Sequence, residues 1–416
     1  MADSVNSLNC KEELVSLKAK YDEYVSEHLS LNMARGKPCT AQLDLSTGIL
    51  EAGLLKNYKA EDGTEVRNYG VLDGIPECKR LFSEIMSVPA ENIIIFGNSS
   101  LNIMYDYIAQ CMISGAGDKP WCKCDKVKFL CPVPGYDRHF SILESFGIEM
   151  INIPMNPDGP DMNLVYEYIK DPRVKGLICV PMYSNPGGVT YSDEVVERFA
   201  AMKPAASDFR VIWDNAYCVH HLCDDHDELL NVFDAAKKYN SEDMFIEVSS
   251  TSKITLPGAG VSALAASANN IAQIKKRMAC QTIGYDKVNQ LRHASYFVNL
   301  DGIKAHMKKH AAIIAPKFDI VLRMFSENIS DFASWTSPKG GYFISLDVKP
   351  GCAGRVVKLC KEAGVVLTGA GATYPYKKDP EDKNIRIAPT FPDTDELIKA
   401  VEILCVCVKI ATLENN

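Results

Sequence analysis

The chain has 416 residues, 47% of them hydrophobic and 24% charged, with a formal net charge of -8. That length suggests two or three domains of ordinary soluble composition. No basic stripe points to nucleic acid, no run of about 18 apolar residues points to a membrane span, and no basic-then-apolar leader opens the chain. Cytoplasmic residence is the expectation, and the 15 cysteines, many inside apolar runs, read as free buried thiols of a reducing compartment.

Residues 9–29 predict an amphipathic helix, with Leu14, Leu17, Tyr21, Tyr24, Val25 and Leu29 at helical spacing and Asn9 with Glu12 forming a capping box. An irregular segment, LNMARGKPCTAQLDLS, follows. Short apolar runs then alternate with helix-length patterns: IIIF (93–96), VKFLC (127–131), IEMINI (148–153), GLICV (176–180), RVIW (210–213) and MFIEV (244–248). This β-α-β rhythm predicts an α/β fold with a mainly parallel central sheet covered by helices on both faces. From about residue 306 a long helical pattern, GGYFISLDV, NIRIAPTF and a final helix predict a smaller α+β domain, and Pro316 predicts a kink or break. The expected organisation is an N-terminal helix and arm over 1–46, a large domain over 47–305 and a small domain over 306–416.

Ligands of open parallel sheets bind beyond the carboxyl ends of the strands, and chemistry-capable residues fall there. After IIIF comes Gly97-Asn98-Ser99-Ser100, a phosphate seat if it opens a helix and otherwise a plain cap. After VKFLC comes Tyr136; after GLICV, Asn185; after RVIW, Asp214 and Tyr217; after MFIEV, Ser250, Ser252 and Lys253. A carboxylate ending a buried strand calls for a cation: the Lys253 amine or a protonated heterocycle. A phosphate seat, a stacking aromatic, a buried acid and a strand-end lysine together meet the needs of pyridoxal phosphate.

Three bland or rival patterns are weaker. Cys122-x-Cys124 lacks a second pair at zinc spacing, and adjacent His220 and His221 do not share a face, so no metal is expected. Ser250-x-x-Lys253 lacks the S-D-N and K-T-G partners of penicillin-recognising enzymes. Gly258-Ala259-Gly260-Val261-Ser262-Ala263 matches a dinucleotide pattern but reads as leading into a strand.

NPGG (185–188), DNAY (214–217), STSK (250–253) and NIRIAP (384–389), in this order, resemble fold-type I aminotransferases, and MARGKP, FGNSSLNIM, KITLPGAGVS and KVNQLRH resemble the subgroup Ic aspartate aminotransferases. The resemblance implies that Lys253 carries the cofactor and shuttles protons, Asp214 pairs with the ring nitrogen, and Tyr217 and Asn185 reach its phenolic oxygen. It further implies that Tyr136 stacks on the ring, that Gly97, Asn98, Ser99, Ser250 and Ser252 hold the phosphate, and that Tyr69 reaches the phosphate of a neighbouring subunit in a homodimer with shared active sites. Arg386, near Gly36 and Asn185, would grip the substrate carboxylate. The family's phosphate-binding arginine is replaced by Val261, which leaves Lys287 or a helix dipole to balance the phosphate, and Arg35, Lys37 and Arg292 are the candidates for a distal carboxylate. The implied activity is transfer of an amino group from an L-amino acid, aspartate or similar, to a 2-oxo acid such as 2-oxoglutarate. A β-lyase or a neutral or aromatic amino acid aminotransferase is the alternative.

Overall fold

The structure is a computed structural model that describes residues 2–415, with side chains from residue 11 onward. In chain order its strands are β1 (Leu31–Asn32), β2 (Ile93–Phe96), β3 (Lys128–Val133), β4 (Glu149–Asn156), β5 (Gly159–Pro160), β6 (Val174–Cys179), β7 (Arg210–Asp214), β8 (Phe245–Ser250), β9 (Ser262–Ala266), β10 (Ala333–Trp335), β11 (Ile344–Val348), β12 (Val365–Val366) and β13 (Asn384–Ile387).

Eight of them form one sheet in the order β2-β9-β8-β7-β6-β3-β4-β5. β8, β7, β6, β3 and β4 run parallel, and β9 is antiparallel to both β8 and β2, which leaves β2 aligned with the parallel set. Every residue of β2, β6, β7, β8 and β9 is buried. Both faces are therefore covered, and this is why these strands read as unbroken apolar runs rather than alternating ones. One face packs Ile93, Val211, Trp213 and Phe245 into one core, and the other packs Ile94, Ile212, Ile246 and Val248 into a second.

A third core joins the two chain ends. Tyr24, Leu31 and Met33 pack with Phe318, Val321, Ile385 and the helix Thr394–Glu414. β1 pairs in parallel with β12, so the N-terminal arm is hydrogen-bonded into the C-terminal region, where β10, β11 and β13 form an antiparallel sheet.

Two expectations need correction. The first helix runs Ala2–Ser26, so Asn9 lies inside it instead of capping it, and its side chain falls outside the described part. The helix Leu300–Asn328 continues through Pro316 without a break. Its early residues Ile303 and Met307 pack on the large sheet and its late residues Phe318 and Phe325 on the third core. Burial along both halves offsets the one hydrogen bond that proline removes. The boundary at 305/306 thus falls within one continuous helix.

Candidate active site

β2, β3, β6, β7 and β8 end on the same side, and a cavity of about 630 Å³ opens there. Asp214, the last residue of β7, and Ser250, the last of β8, reach its wall, with Ser252 and Lys253 in the turn beyond. Ser99 caps the helix Ser100–Ser114, accepting from the Leu101 amide at 3.2 Å, so the positive end of that helix points at the cavity. Tyr136 enters from the end of the β3 turn, Asn185 from beyond β6 and Tyr217 from beyond β7.

The acid is buried, 2% exposed, and its two oxygens differ. His139 Nε2 lies 2.9 Å from Asp214 Oδ2. An ionised carboxylate only accepts, so that nitrogen carries the proton. Oδ1 is equally buried and has no partner among the described residues. An orphaned carboxylate oxygen costs about 1–3 kcal/mol or more, so the site is built for a donor that the protein does not itself supply. His139 had no signal in the sequence beyond a helical pattern. It sits three positions after Tyr136, on the helix Asp137–Ser145, and its 75-residue separation from Asp214 hides the pairing.

The Lys253 ammonium lies 4.9 Å from the centre of the Tyr217 ring, and that ring stacks on Tyr342. Burial lowers the Lys253 pKa; Asp214 opposes the shift and Arg386 adds to it. Tyr342 Oη donates to the Lys253 carbonyl at 3.3 Å and accepts from Gln42 Nε2 at 2.9 Å, which holds the lysine turn against the N-terminal arm. Burial, reinforced by Asp214 and Asp137, pushes the Tyr136 hydroxyl up to about 12, and Tyr217 is likewise raised by burial.

Across the cavity Arg386 is 6% exposed. Its Nη1 donates to Asp137 Oδ1 at 2.8 Å and Asn185 Oδ1 at 3.2 Å, and its Nη2 to Thr368 Oγ1 at 3.3 Å. The Phe343 ring lies 4.8 Å from the guanidinium carbon. A Cβ on Gly36 would come within 2.4 Å of that ring, so glycine is what admits Phe343 here.

Arg35 and Lys37 line the cavity, but Arg292 does not. Lys287 does not reach it either: its amine donates to the Gly70 carbonyl at 2.9 Å, bracing the loop that carries Tyr69, which is 83% exposed. Val261 is buried, its amide bonded to Thr251 Oγ1. Gly97 and Asn98 stand behind the wall: Gly97 O accepts from Ser262, and Asn98 O accepts from Ser252 Oγ at 2.8 Å. Arg138 and Lys377, which the sequence did not single out, join Arg35, Lys37, Lys253 and Arg386 on the lining. Even without Lys253, five basic side chains of the lining stand against two acidic ones, Asp137 and Asp214, so the cavity suits ligands with several negative charges. His220 and His221 diverge, the first packing on Tyr217 and Tyr342 and the second on Tyr183 and His226.

The sequence matches the family described as Aspartate amino-transferase over residues 6–416. An aspartate aminotransferase of Corynebacterium glutamicum is 48% identical over 403 residues, spanning 96% of this chain and 93% of the relative. The crystal structure of an aspartate transaminase from the same species superposes with a TM-score of 0.95 at 47% identity, covering 98% of this chain and 97% of that one. At the level of fold alone, the α-aminoadipate aminotransferase LysN of Thermus thermophilus, complexed with N-(5'-phosphopyridoxyl)-L-leucine, superposes at 0.74 with 18% identity, over 92% of each chain. With the strand-end acid, lysine and arginine converging on one cavity, the chain belongs to the aspartate aminotransferase family and is an aminotransferase.

Proposed function

We propose that the protein transfers the amino group of an L-amino acid, aspartate or a close analogue, to a 2-oxo acid such as 2-oxoglutarate by a ping-pong mechanism with pyridoxal phosphate. The observation that carries this reading is Asp214: buried, held on one oxygen by His139, and open on the other inside a cavity that also contains Lys253. A protonated ring nitrogen is the donor that Oδ1 lacks. Lys253 would hold the cofactor, Tyr136 would cover its ring, and Asn185 and Tyr217 would meet its phenolic oxygen. Ser99, Ser250 and Ser252 would take its phosphate at the helix N-terminus, with Gly97 and Asn98 shaping the turn. When bound, the cofactor supplies an electron sink for the pair left by a broken Cα–H bond.

The chain's own groups do the rest. Lys253 Nζ, its pKa lowered by burial, would take the Cα proton once its own proton has left. Arg386, oriented by Asn185 and Thr368 and covered by Phe343, presents a two-pronged fork to the α-carboxylate, and that carboxylate would take over from Asp137. Arg35 and Lys37 line the same cavity and would meet a second carboxylate, which favours a dicarboxylic donor, as does the relative from Corynebacterium glutamicum, an aspartate aminotransferase. A homodimer with shared active sites belongs to this reading. The exposed Tyr69 on its braced loop supports it.

The test is a donor panel with 2-oxoglutarate on protein supplied with vitamin B6, followed by borohydride trapping and peptide mass analysis. Aspartate should be the fastest donor among aspartate, alanine and phenylalanine, and the added mass should sit on Lys253. Colourless protein with no added mass there would overturn the cofactor assignment, and faster alanine or phenylalanine would overturn the choice of donor.

A further inference from the structure

A second cavity lies on the opposite face of the central sheet and, at about 710 Å³, exceeds the about 630 Å³ of the first. Side chains alternate across a sheet, so the residues paired beside Asp214 point the other way: Trp213 of β7 sits opposite Glu247 of β8, and both line this cavity. The loop 215–231 and the helices Pro76–Met86 and Leu300–Asn328 close its sides.

Its floor is short of donors. Glu247 is 3% exposed and Asn215 is 7% exposed. Asn215 Nδ2 donates to Glu247 Oε1 at 2.9 Å. Asn215 Oδ1 has no partner among the described residues, and Glu247 Oε2 accepts no hydrogen bond from them. Among the described residues no cation is paired with the carboxyl. The lysines of the lining, Lys304 and Lys308, are exposed on the helix Leu300–Asn328, and Lys308 faces Asp224 at 3.8 Å. Burial pushes the Glu247 carboxyl up to about 7, and the only opposing influence is the Asn215 amide. The wall has an apolar part: Met86, Met182, Met307 and Trp213 line the same cavity, with the far side of the indole packed on Tyr191, Phe199 and Phe245. Polarisable sulfur and an aromatic ring suit a cation carrying an alkyl or aryl chain. At the mouth Asp224, Asp227 and Glu228 outnumber Lys304 and Lys308, which favours entry of positive charge.

We propose that this cavity binds an organic ammonium ion with an apolar tail, its N–H groups donating to Glu247 and Asn215 and its tail lying among Trp213 and the three methionines. The site is separate from the catalytic cavity, and its floor adjoins Asp214 through the peptide bond to Asn215.

N-Methylhexylamine is the probe, because a secondary amine cannot form a neutral imine with an aldehyde in the other cavity. Calorimetry and tryptophan fluorescence on the holoenzyme should show one saturable site. Glu247→Gln, which keeps the shape and removes the charge, should weaken binding about tenfold or more. Ala311→Trp, which fills the cavity from the helix without touching the carboxyl, should abolish it, and its thermal melting confirms that the fold is kept. Hexan-1-ol and hexanoate should bind at least about tenfold more weakly than the amine. Absence of saturable binding by the amine, unchanged affinity in Glu247→Gln, or equal binding of hexan-1-ol would each overturn the proposal.

Discussion

Two buried carboxylates stand on neighbouring strands, one on each face of the same sheet, and they are furnished in opposite ways. Asp214 has His139 on one oxygen, and its charge raises the pKa of Lys253 against the pull of burial. Glu247 has a single amide, and its carboxyl is pushed up to about 7. Burial is common to both, so depth does not separate them. What separates them is the set of partners within hydrogen-bond reach. One face sets its acid beside a histidine with one oxygen left open; the other holds an acid that shifts toward its neutral form when nothing positive comes near.

The sharpest way to break this contrast is to neutralise each acid in turn. Asp214→Asn keeps the side-chain size but removes the charge facing the cavity. It should lower kcat for transamination by about 10³-fold, as expected when preorganised charge at a reacting centre is lost. Glu247→Gln should change kcat by less than about threefold. Steady-state kinetics on both variants decides the matter, and similar losses in the two would erase the distinction between the faces.

Next in size is the fork opposite the acid. Arg386→Lys retains a positive charge but cannot make the bidentate contact, so kcat/KM for aspartate should fall by about 10²-fold, or about 2.7 kcal/mol. Most of that loss should appear in KM, because the α-carboxylate is held before and during the reaction alike.

The smallest effect is on stability, and its sign follows from the raised acid. Folded Glu247 keeps its proton up to about 7, against 4.5 for an ordinary glutamate. Between those values the folded chain binds the extra proton, so stability declines as pH rises and stays lower above pH 7. The full penalty is at most about 3 kcal/mol. Glu247→Gln should therefore melt higher than the parent at pH 8 and close to it at pH 4.5. Thermal unfolding at the two pH values tests this, and an equal offset at both would show that the carboxyl does not titrate across that range.

Much of the catalytic cavity was legible because parallel strands have one chemical end. Once the apolar runs at 176–180, 210–213 and 244–248 are read as strands, the residues that follow them must share a crevice, and Asn185, Asp214, Tyr217 and Lys253 do. The pairings that run across the fold were not legible. His139 reads as one more residue of an amphipathic helix, Asp137 as its first turn, and Thr368 as loop, yet they set the geometry of Asp214 and Arg386. The same holds for Glu247: in the run MFIEV it looks like a polar interruption, and only the packed structure reveals a cavity against it. At Pro316 the expected break does not occur, because local propensity is overruled where two cores grip one helix.

The parallel pairing of β1 with β12 has a mechanical consequence. It welds the segment bearing Arg35, Gly36 and Lys37 to the same body that carries Arg386 and Phe343, whereas Asp214, His139 and Lys253 are anchored to the eight-stranded sheet. The groups proposed to hold carboxylates and the groups proposed to move protons are thus anchored mainly on separate bodies. Any rocking of one body on the other, about the long helix they share, would shift Arg35, Lys37 and Arg386 together, and would reach the Lys253 turn through Tyr342, whose hydroxyl donates to the Lys253 carbonyl.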